Sequence, residues 1–134
     1  MSNAVQPLPT AILRHDHAPA PAPPTHHDWL ITPPGPASLA QDRLTTFRVA
    51  APPQDWPLLR RLILTPLSPH RTHYLRHQGP VLGNRGTVTR VAQGHAYALL
   101  WSDTRICLRL HTTGLDARVG LQKLSPDRWL AVID

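Results

Sequence analysis

The sequence contains no glutamate and a single lysine, Lys123, although these two residue types are among those that most favour helical surfaces. Proline, in contrast, occurs 16 times in 134 residues, and nearly all of these prolines precede residue 81. Because proline interrupts helices, long helices are not expected in the first half of the chain. The single cysteine, Cys107, excludes an internal disulfide framework and a cysteine-rich zinc site.

Long apolar runs are also missing. No segment approaches the roughly 18 apolar residues that a membrane-spanning helix needs, and the proline-rich N-terminal region lacks the continuous apolar core of a signal peptide. We therefore expect a soluble protein of a reducing compartment, the cytoplasm. The chain has 134 residues, of which 41% are hydrophobic, which is enough for one domain with a modest core. We expect residues 1–134 to form that domain, with residues 1–10 flexible.

Alternation of apolar and polar residues predicts several strands. These segments are separated by turn residues at roughly ten-residue spacing, which is typical of barrels and small sandwiches. We predict an all-β fold, namely a small closed or partly closed β-barrel of about six to eight strands. The predicted strands include 26–31, 44–50, 104–110, 117–124 and 128–133, with a hairpin over 86–101 that turns at Gln93–Gly94.

Two parts of the first half do not have a strand pattern. Residues 18–25 are almost entirely alanine and proline, which favours an extended loop. Ser68–Pro69 is typical of a helix start, with serine as the N-cap and proline at the first helical position. We therefore predict one short helical turn after Ser68, ended by Gly79–Pro80.

Two of the nine histidines, together with one aspartate, form a candidate metal site in the N-terminal region. A strand projects residues two apart to the same side, so His26 and Asp28 are predicted to share one face, while Trp29 and Ile31 face the other side. Imidazole nitrogen and carboxylate oxygen together suit a borderline divalent ion such as manganese or zinc. His15, from the preceding segment, is the candidate third ligand. The spacing alone favours the alternative, in which these residues form a polar loop edge.

His70 and Tyr74 form a candidate phosphate site. Residues four apart share a helical face, so the imidazole and the phenol are predicted to lie together and to contact a phosphate. The alternative is that Tyr74 packs over the end of the barrel while His70 is solvated. His73 and His77 have the same spacing and are the candidates for a second metal pair, but no carboxylate accompanies them.

Thirteen arginines give the chain a formal net charge of +6 at neutral pH. The guanidinium group binds phosphate through two parallel hydrogen bonds, and a basic domain accumulates on nucleic acid through counterion release. A nucleic-acid partner is therefore predicted. An arginine-rich, lysine-poor composition can also reflect a GC-rich genome.

Six short motifs occur in order over roughly residues 10–95: Ile12–Asp16, His26–Trp29, Thr46–Val49, His70–Leu75, Gly79–Pro80 and Gly83–Val88. In this order they resemble the 3′-phosphoesterase domain of bacterial DNA ligase D, and most of all its short stand-alone forms. The resemblance implies a small β-barrel that holds a manganese ion. It also implies removal of 3′-phosphates and 3′-terminal ribonucleotides from DNA ends during DNA repair.

The resemblance assigns roles to individual residues. By position in the motifs, His15, His26 and Asp28 would be the metal ligands, for Mn²⁺ or alternatively for Zn²⁺ or another divalent ion. His70 and Tyr74 would contact the scissile phosphate as catalytic residues. The implied partners are DNA or mixed DNA/RNA 3′ ends, together with a ligase or other end-joining protein.

Two positions depart from the family pattern. Leu30 stands where the family has an arginine that clamps phosphate, and the expected lysine is replaced around Ala51–Pro52. Arg48, Arg85 or Arg61 would then have to bind the phosphate, and Leu30→Arg is expected to raise activity. Two alternatives follow from the departures: a catalytically degenerate barrel that binds DNA ends or a repair partner, and a structural barrel with incidental histidines.

Overall fold

Eight antiparallel strands form a closed barrel, and a short ninth strand lies outside the ring. The computed structural model describes residues 6–35 and 41–134, and the strand count refers to these residues. The strands are β1 (Pro7–Asp16), β2 (His26–Ile31), β3 (Leu44–Val49), β4 (Arg61–His70), β5 (Gly79–Pro80), β6 (Thr87–Trp101), β7 (Arg105–Thr112), β8 (Leu115–Ser125) and β9 (Arg128–Ile133). Around the barrel their order is β1-β2-β3-β4-β9-β8-β7-β6, and β6 pairs with β1 to close the ring. The predicted all-β barrel is therefore confirmed.

The helices in the described residues are all short. They comprise a 3-10 helix at Pro53–Asp55, the helix α1 at Trp56–Leu59 and a second 3-10 helix at Thr72–Leu75. None of these helices is long and apolar enough to cross a membrane. Trp56 is fully buried in the barrel core, where its ring centroid lies 5.2 Å from that of Trp29.

Alternate side chains of the strands fill the interior of the barrel. On β7, Ile106, Leu108 and Leu110 are buried, whereas Arg105 and Arg109 face solvent, as the period of two predicts. Truncation of one such buried aliphatic side chain to alanine costs about 2–5 kcal/mol. The packed interior therefore fixes the positions of the strands, and with them the positions of the side chains on the outer surface of the barrel.

Part of the outer wall is buried as well. On β2, Trp29 and Ile31 pack in the interior core, so Leu30 faces outward. Leu30 belongs to a second, smaller apolar cluster whose other members are Leu13, Leu44 and Val88. Residues 71–86, which connect β4 to β6 and are named here the cover segment, pack over this cluster through Tyr74, Leu75 and Val81. The outer face of β1 and β2 is thus buried as well, because it lies between the barrel and the cover segment.

β1 and β4 are not predicted from the sequence, because each contains two prolines. Pro7 and Pro9 precede the part of β1 that pairs with β2, and Pro66 and Pro69 follow the part of β4 that pairs with β9. Each proline therefore has a paired strand on no more than one side. Proline lacks an N–H donor, and such positions accept it without loss of a ladder hydrogen bond.

The N-terminal expectations are met in part. Pro7–Thr10 pair with β6, so the flexibility predicted for residues 1–10 does not apply to them. Residues 1–5 lie outside the described part of the chain. The proline-rich segment 18–25 lies, as predicted, in the loop that joins β1 to β2.

The predicted hairpin over 86–101 is wrong, because β6 runs unbroken from Thr87 to Trp101. Gly94, the expected turn residue, pairs with Thr10 on one side and Thr112 on the other. A Cβ atom at Gly94 would lie 2.1 Å from the carbonyl oxygen of His111. Glycine at this position permits close approach of β7 and does not mark a turn.

The predicted helix start at Ser68–Pro69 is also wrong. Both residues belong to β4, which ends at His70, and the 3-10 helix begins at Thr72. The Thr72 N–H donates a 2.8 Å hydrogen bond to Asp42 Oδ1, and the Thr72 hydroxyl donates to the same oxygen. This anchor comes from a residue 30 positions earlier, which local sequence signals do not reveal.

Candidate metal and phosphate site

The structure brings His15, His26 and Asp28 together on the outer wall of the barrel. His15 of β1 lies directly opposite His26 of β2, and Asp28 follows two residues later on the same face. The His15 and His26 ring centroids are 5.0 Å apart, and one ligand atom from each of the three residues lies within 4.8 Å of the others. Among the described residues this is the one such group of three.

Two backbone carbonyls determine which nitrogen of each imidazole carries a proton. His15 Nε2 lies 2.7 Å from the Arg85 carbonyl oxygen, and His26 Nδ1 lies 3.0 Å from that of Pro23. A carbonyl only accepts hydrogen bonds, so both nitrogens are donors. In the neutral rings the lone pairs are therefore on His15 Nδ1 and His26 Nε2.

These two nitrogens are the ones that face Asp28. His15 Nδ1 is 3.7 Å from Asp28 Oδ2, and His26 Nε2 is 3.2 Å from Asp28 Oδ1. In metal sites, the ligating histidine usually donates its other N–H to a carbonyl or carboxylate, which orients the ring. His15 and His26 have this second hydrogen bond in place.

The Asp28 carboxylate is buried beside the two imidazoles. Its Oδ1 atom has no hydrogen-bond partner of regular geometry, although His26 lies close by. Burial of an uncompensated carboxylate costs several kcal/mol. The Asp28 carboxylate raises the pKa of His26 above its ordinary value, against the opposing effect of burial. With both rings neutral, these two nitrogens and the carboxylate form a donor set of the kind that suits manganese or zinc.

His70 and Tyr74 lie in the same cleft as the three candidate ligands. The cleft has a volume of about 800 Å³ and lies between the outer wall and the cover segment. His70 ends β4 and Tyr74 lies in the 3-10 helix, so the two do not share a helical face as predicted. Their ring centroids are nevertheless 5.6 Å apart. Tyr74 also packs on the outer apolar cluster, and its contact with a phosphate stays a prediction.

The hydrogen bonds of His70 leave one nitrogen available. His70 Nδ1 lies 3.0 Å from the Ser68 carbonyl oxygen and is therefore a donor, which leaves Nε2 free to accept or to carry a second proton. His73 and His77 also line the cleft, with ring centroids 5.9 Å apart, but belong to no group of three candidate ligands. The hypothesis of a second metal pair gains no support.

Arg48 and Arg85 both line the cleft, whereas Arg61 does not. Arg48 of β3 lies directly opposite Asp28, and its Nε atom is buried without a hydrogen-bond partner. Arg85 Nε already donates to the Leu82 carbonyl oxygen at 2.7 Å. Arg48 is therefore the guanidinium with the larger unused hydrogen-bonding capacity. Sequence reasoning missed Arg71, which also lines the cleft and lies between the two residues of the His70–Tyr74 motif.

Leu30 lies beneath the cleft and not within it. Its side chain is completely buried in the outer apolar cluster. An arginine there would have to displace aliphatic groups of this buried cluster. The expectation that Leu30→Arg raises activity is therefore withdrawn, and a loss of stability is expected in its place.

No protein-family model and no curated protein matches this chain. Function therefore has to be inferred from the motifs and from the groups that meet in the cleft. Those groups are a candidate cation site, an imidazole and a phenol, and at least one guanidinium with unused donors.

Proposed function

We propose that this protein is a metal-dependent phosphoesterase that acts on the 3′ ends of nucleic acid. It would remove a 3′-phosphate or a 3′-terminal ribonucleotide during DNA repair. The observation that supports this most is the convergence of His15 Nδ1, His26 Nε2 and the unpartnered Asp28 oxygen in one cleft. His70, Tyr74 and Arg48 would meet the phosphate there. The motif resemblance to the ligase D phosphoesterase domain supports the same function.

The candidate ligands have distinct tasks. Asp28 supplies the negative charge that holds a cation in a buried position, and His15 and His26 supply neutral nitrogens in fixed orientation. A divalent ion such as Mn²⁺, or alternatively Zn²⁺, supplies Lewis acidity toward a phosphoryl oxygen when bound. The carbonyls of Arg85 and Pro23 keep both rings in the tautomer that this task requires.

The remaining residues act on the phosphate itself. Arg48 would neutralise the non-bridging oxygens through its unused donors, and the Tyr74 hydroxyl would donate to one of them. Water would attack phosphorus as the bond to the sugar 3′ oxygen breaks. The 3′ oxygen would take up one proton, and the proton lost by the attacking water would leave with the released phosphate. His70, protonated at Nε2, is positioned to donate the proton to the 3′ oxygen.

The charge of the chain is consistent with a polyanionic substrate. The formal net charge is +6, and four arginines or histidines of the cover segment line the cleft in addition to the residues above: Arg71, His73, His77 and Arg85. A basic surface around the cleft would attract phosphate backbones over a distance of about one Debye length. A ligase or other end-joining protein is the partner that would use the repaired 3′ hydroxyl.

Leu30 favours one alternative function. Because the clamp arginine expected from the family pattern is missing, the barrel would bind 3′ ends without hydrolysis if Arg48 does not replace it. Retained binding of a 3′-phosphorylated primer, without phosphate release under any divalent ion, would distinguish this binding module from an enzyme.

The test is an end-conversion assay on a 5′-labelled DNA primer with a 3′-phosphate, with and without Mn²⁺. The wild-type protein is expected to produce a 3′ hydroxyl only with the ion. Asp28→Asn is expected to be at least about tenfold slower, because it removes the anionic ligand while keeping the shape. The matched control is His111→Ala, since His111 is a half-exposed histidine that lies outside the cleft.

A further inference from the structure

A second cleft lies on the other side of the 3-10 helix. Its volume is about 820 Å³, and it is formed by the cover segment, β1 and β6. The cover segment contributes His73 and Arg76, and the outer face of β6 contributes Gln93 and His95. No acidic residue lines it among the described residues. A groove with an arginine, two imidazoles and no carboxylate suits an anionic chain.

The two clefts adjoin at His73, which lines both. The His73 ring lies 4.1 Å from that of Tyr74, centroid to centroid, at a tilt of 35°. A chain whose end sits beside Tyr74 would therefore pass His73 as it enters the second cleft. Exposed imidazole rings offer a face on which a base can stack.

The walls of the second cleft are held in position by the protein itself. Arg90 of β6 donates from Nη1 to the Leu75 carbonyl oxygen at 3.3 Å, and its N–H donates to Gln78 Oε1 at 3.1 Å. The cover segment is thus attached to β6 on either side of Arg76. Within the described residues the Arg76 guanidinium itself forms no hydrogen bond or ion pair, and it is exposed.

Two carboxylates that lie outside the lining, those of Asp42 and Asp116, are occupied by other partners. Asp42 accepts two hydrogen bonds from Thr72, and Asp116 pairs with Arg109 at 3.0 Å and with His111 at 3.2 Å. Neither competes for Arg76. The guanidinium is therefore available to a phosphate.

We propose that the second cleft binds the single strand upstream of the 3′ terminus, with Arg76 on a backbone phosphate and His73 beside a base. This rests on the proposed function, and it specifies the substrate as a single-stranded 3′ end of several nucleotides in preference to a mononucleotide. Contacts to backbone phosphates are sequence-independent, so no base preference is expected from Arg76.

The test is fluorescence anisotropy in EDTA, so that binding is measured without turnover. The probes are labelled oligothymidylates with a 3′-phosphate, two and ten nucleotides long. The wild type is expected to bind the longer probe at least about tenfold more tightly. Arg76→Ala is expected to remove most of this difference and to leave the Kd of the dinucleotide within about twofold. The slope of log Kd against log salt for the longer probe is expected to fall by about 0.7, the value for one phosphate contact on a single strand.

Arg128→Ala is the matched control, because Arg128 is exposed and lines neither cleft. Equal affinity for both lengths in the wild type, or an equal loss in Arg128→Ala, would overturn the inference. Phosphate release from the dinucleotide with Mn²⁺ tests the proposed function separately. Phosphate release without length-dependent binding would overturn the inference about the second cleft and leave the enzymatic proposal standing. Arg76-dependent binding of the long probe without phosphate release would support the inference about the second cleft and overturn the enzymatic proposal.

Discussion

Asp28 and Arg48 lie directly opposite each other on β2 and β3, and both line the first cleft, yet no ion pair joins them in the described structure. Each has one buried side-chain atom without a hydrogen-bond partner, Asp28 Oδ1 and Arg48 Nε. Opposite charges that are neighbours but are not paired with each other leave room for a ligand that contains both a cation and an anion. A divalent ion bound with a phosphate has this character.

Arg48→Gln is expected to weaken phosphate binding more than Arg85→Gln does. A hydrogen bond to a charged group contributes about 1.5–3 kcal/mol, so loss of Arg48 should raise the KM for a 3′-phosphorylated primer by about tenfold or more. Arg85 already donates from Nε to the Leu82 carbonyl oxygen, so Arg85→Gln should raise the KM less. Steady-state kinetics measures both, with Arg61→Gln as the control outside the cleft. A larger effect at Arg85 would contradict the assignment of Arg48.

Leu30→Arg is expected to destabilise the fold by several kcal/mol, since it places a guanidinium in a fully buried apolar cluster. Urea unfolding followed by tryptophan fluorescence measures this. Leu30→Met is the size-conserving control and should cost less than about 1.5 kcal/mol. A Leu30→Arg variant with wild-type stability and raised activity would show that this side chain reaches the cleft after all.

Gly94→Ala and Gly120→Ala form a matched pair in the barrel wall. A Cβ at Gly94 would lie 2.1 Å from the His111 carbonyl oxygen, whereas one at Gly120 has nothing within 4 Å. Gly94→Ala should therefore cost about 1–3 kcal/mol, and Gly120→Ala should be close to neutral. Urea denaturation of both variants provides the comparison. Equal stability of the two would mean that β6 and β7 are less closely packed than described.

The stability that Asp42 provides by anchoring the 3-10 helix at Thr72 should depend on pH. Hydrogen bonds from the Thr72 hydroxyl and N–H lower the pKa of Asp42 below its ordinary value. A carboxyl with a lowered pKa in the folded state stabilises the fold above the ordinary value, and this contribution is lost as pH falls through the lowered pKa. The Tm of the wild type should exceed that of Asp42→Asn at pH 7, and the gap should shrink below about pH 4. A gap that is constant across this range would contradict the anchor.

Local patterns in the sequence were sufficient for some elements and not for others. The alternation in His26–Ile31 placed His26 and Asp28 on one face correctly, because proline-rich segments on both sides define this strand. The sequence predicts a turn at Gly94, but glycine also occurs where a distant strand approaches closely, and that is its role here. The position of Arg48 depends on its register against Asp28, 20 residues earlier, which only the folded barrel establishes.

The most direct test of the metal centre is a titration of Mn²⁺ followed by electron paramagnetic resonance, in which the signal of the free ion decreases on binding. The wild-type protein is expected to bind one ion per chain. Asp28→Asn is expected to bind at least about tenfold more weakly, with unchanged circular dichroism, and His111→Ala should match the wild type. Binding of the ion by Asp28→Asn with wild-type affinity, or no binding by the wild type, would contradict the assignment of His15, His26 and Asp28 as metal ligands.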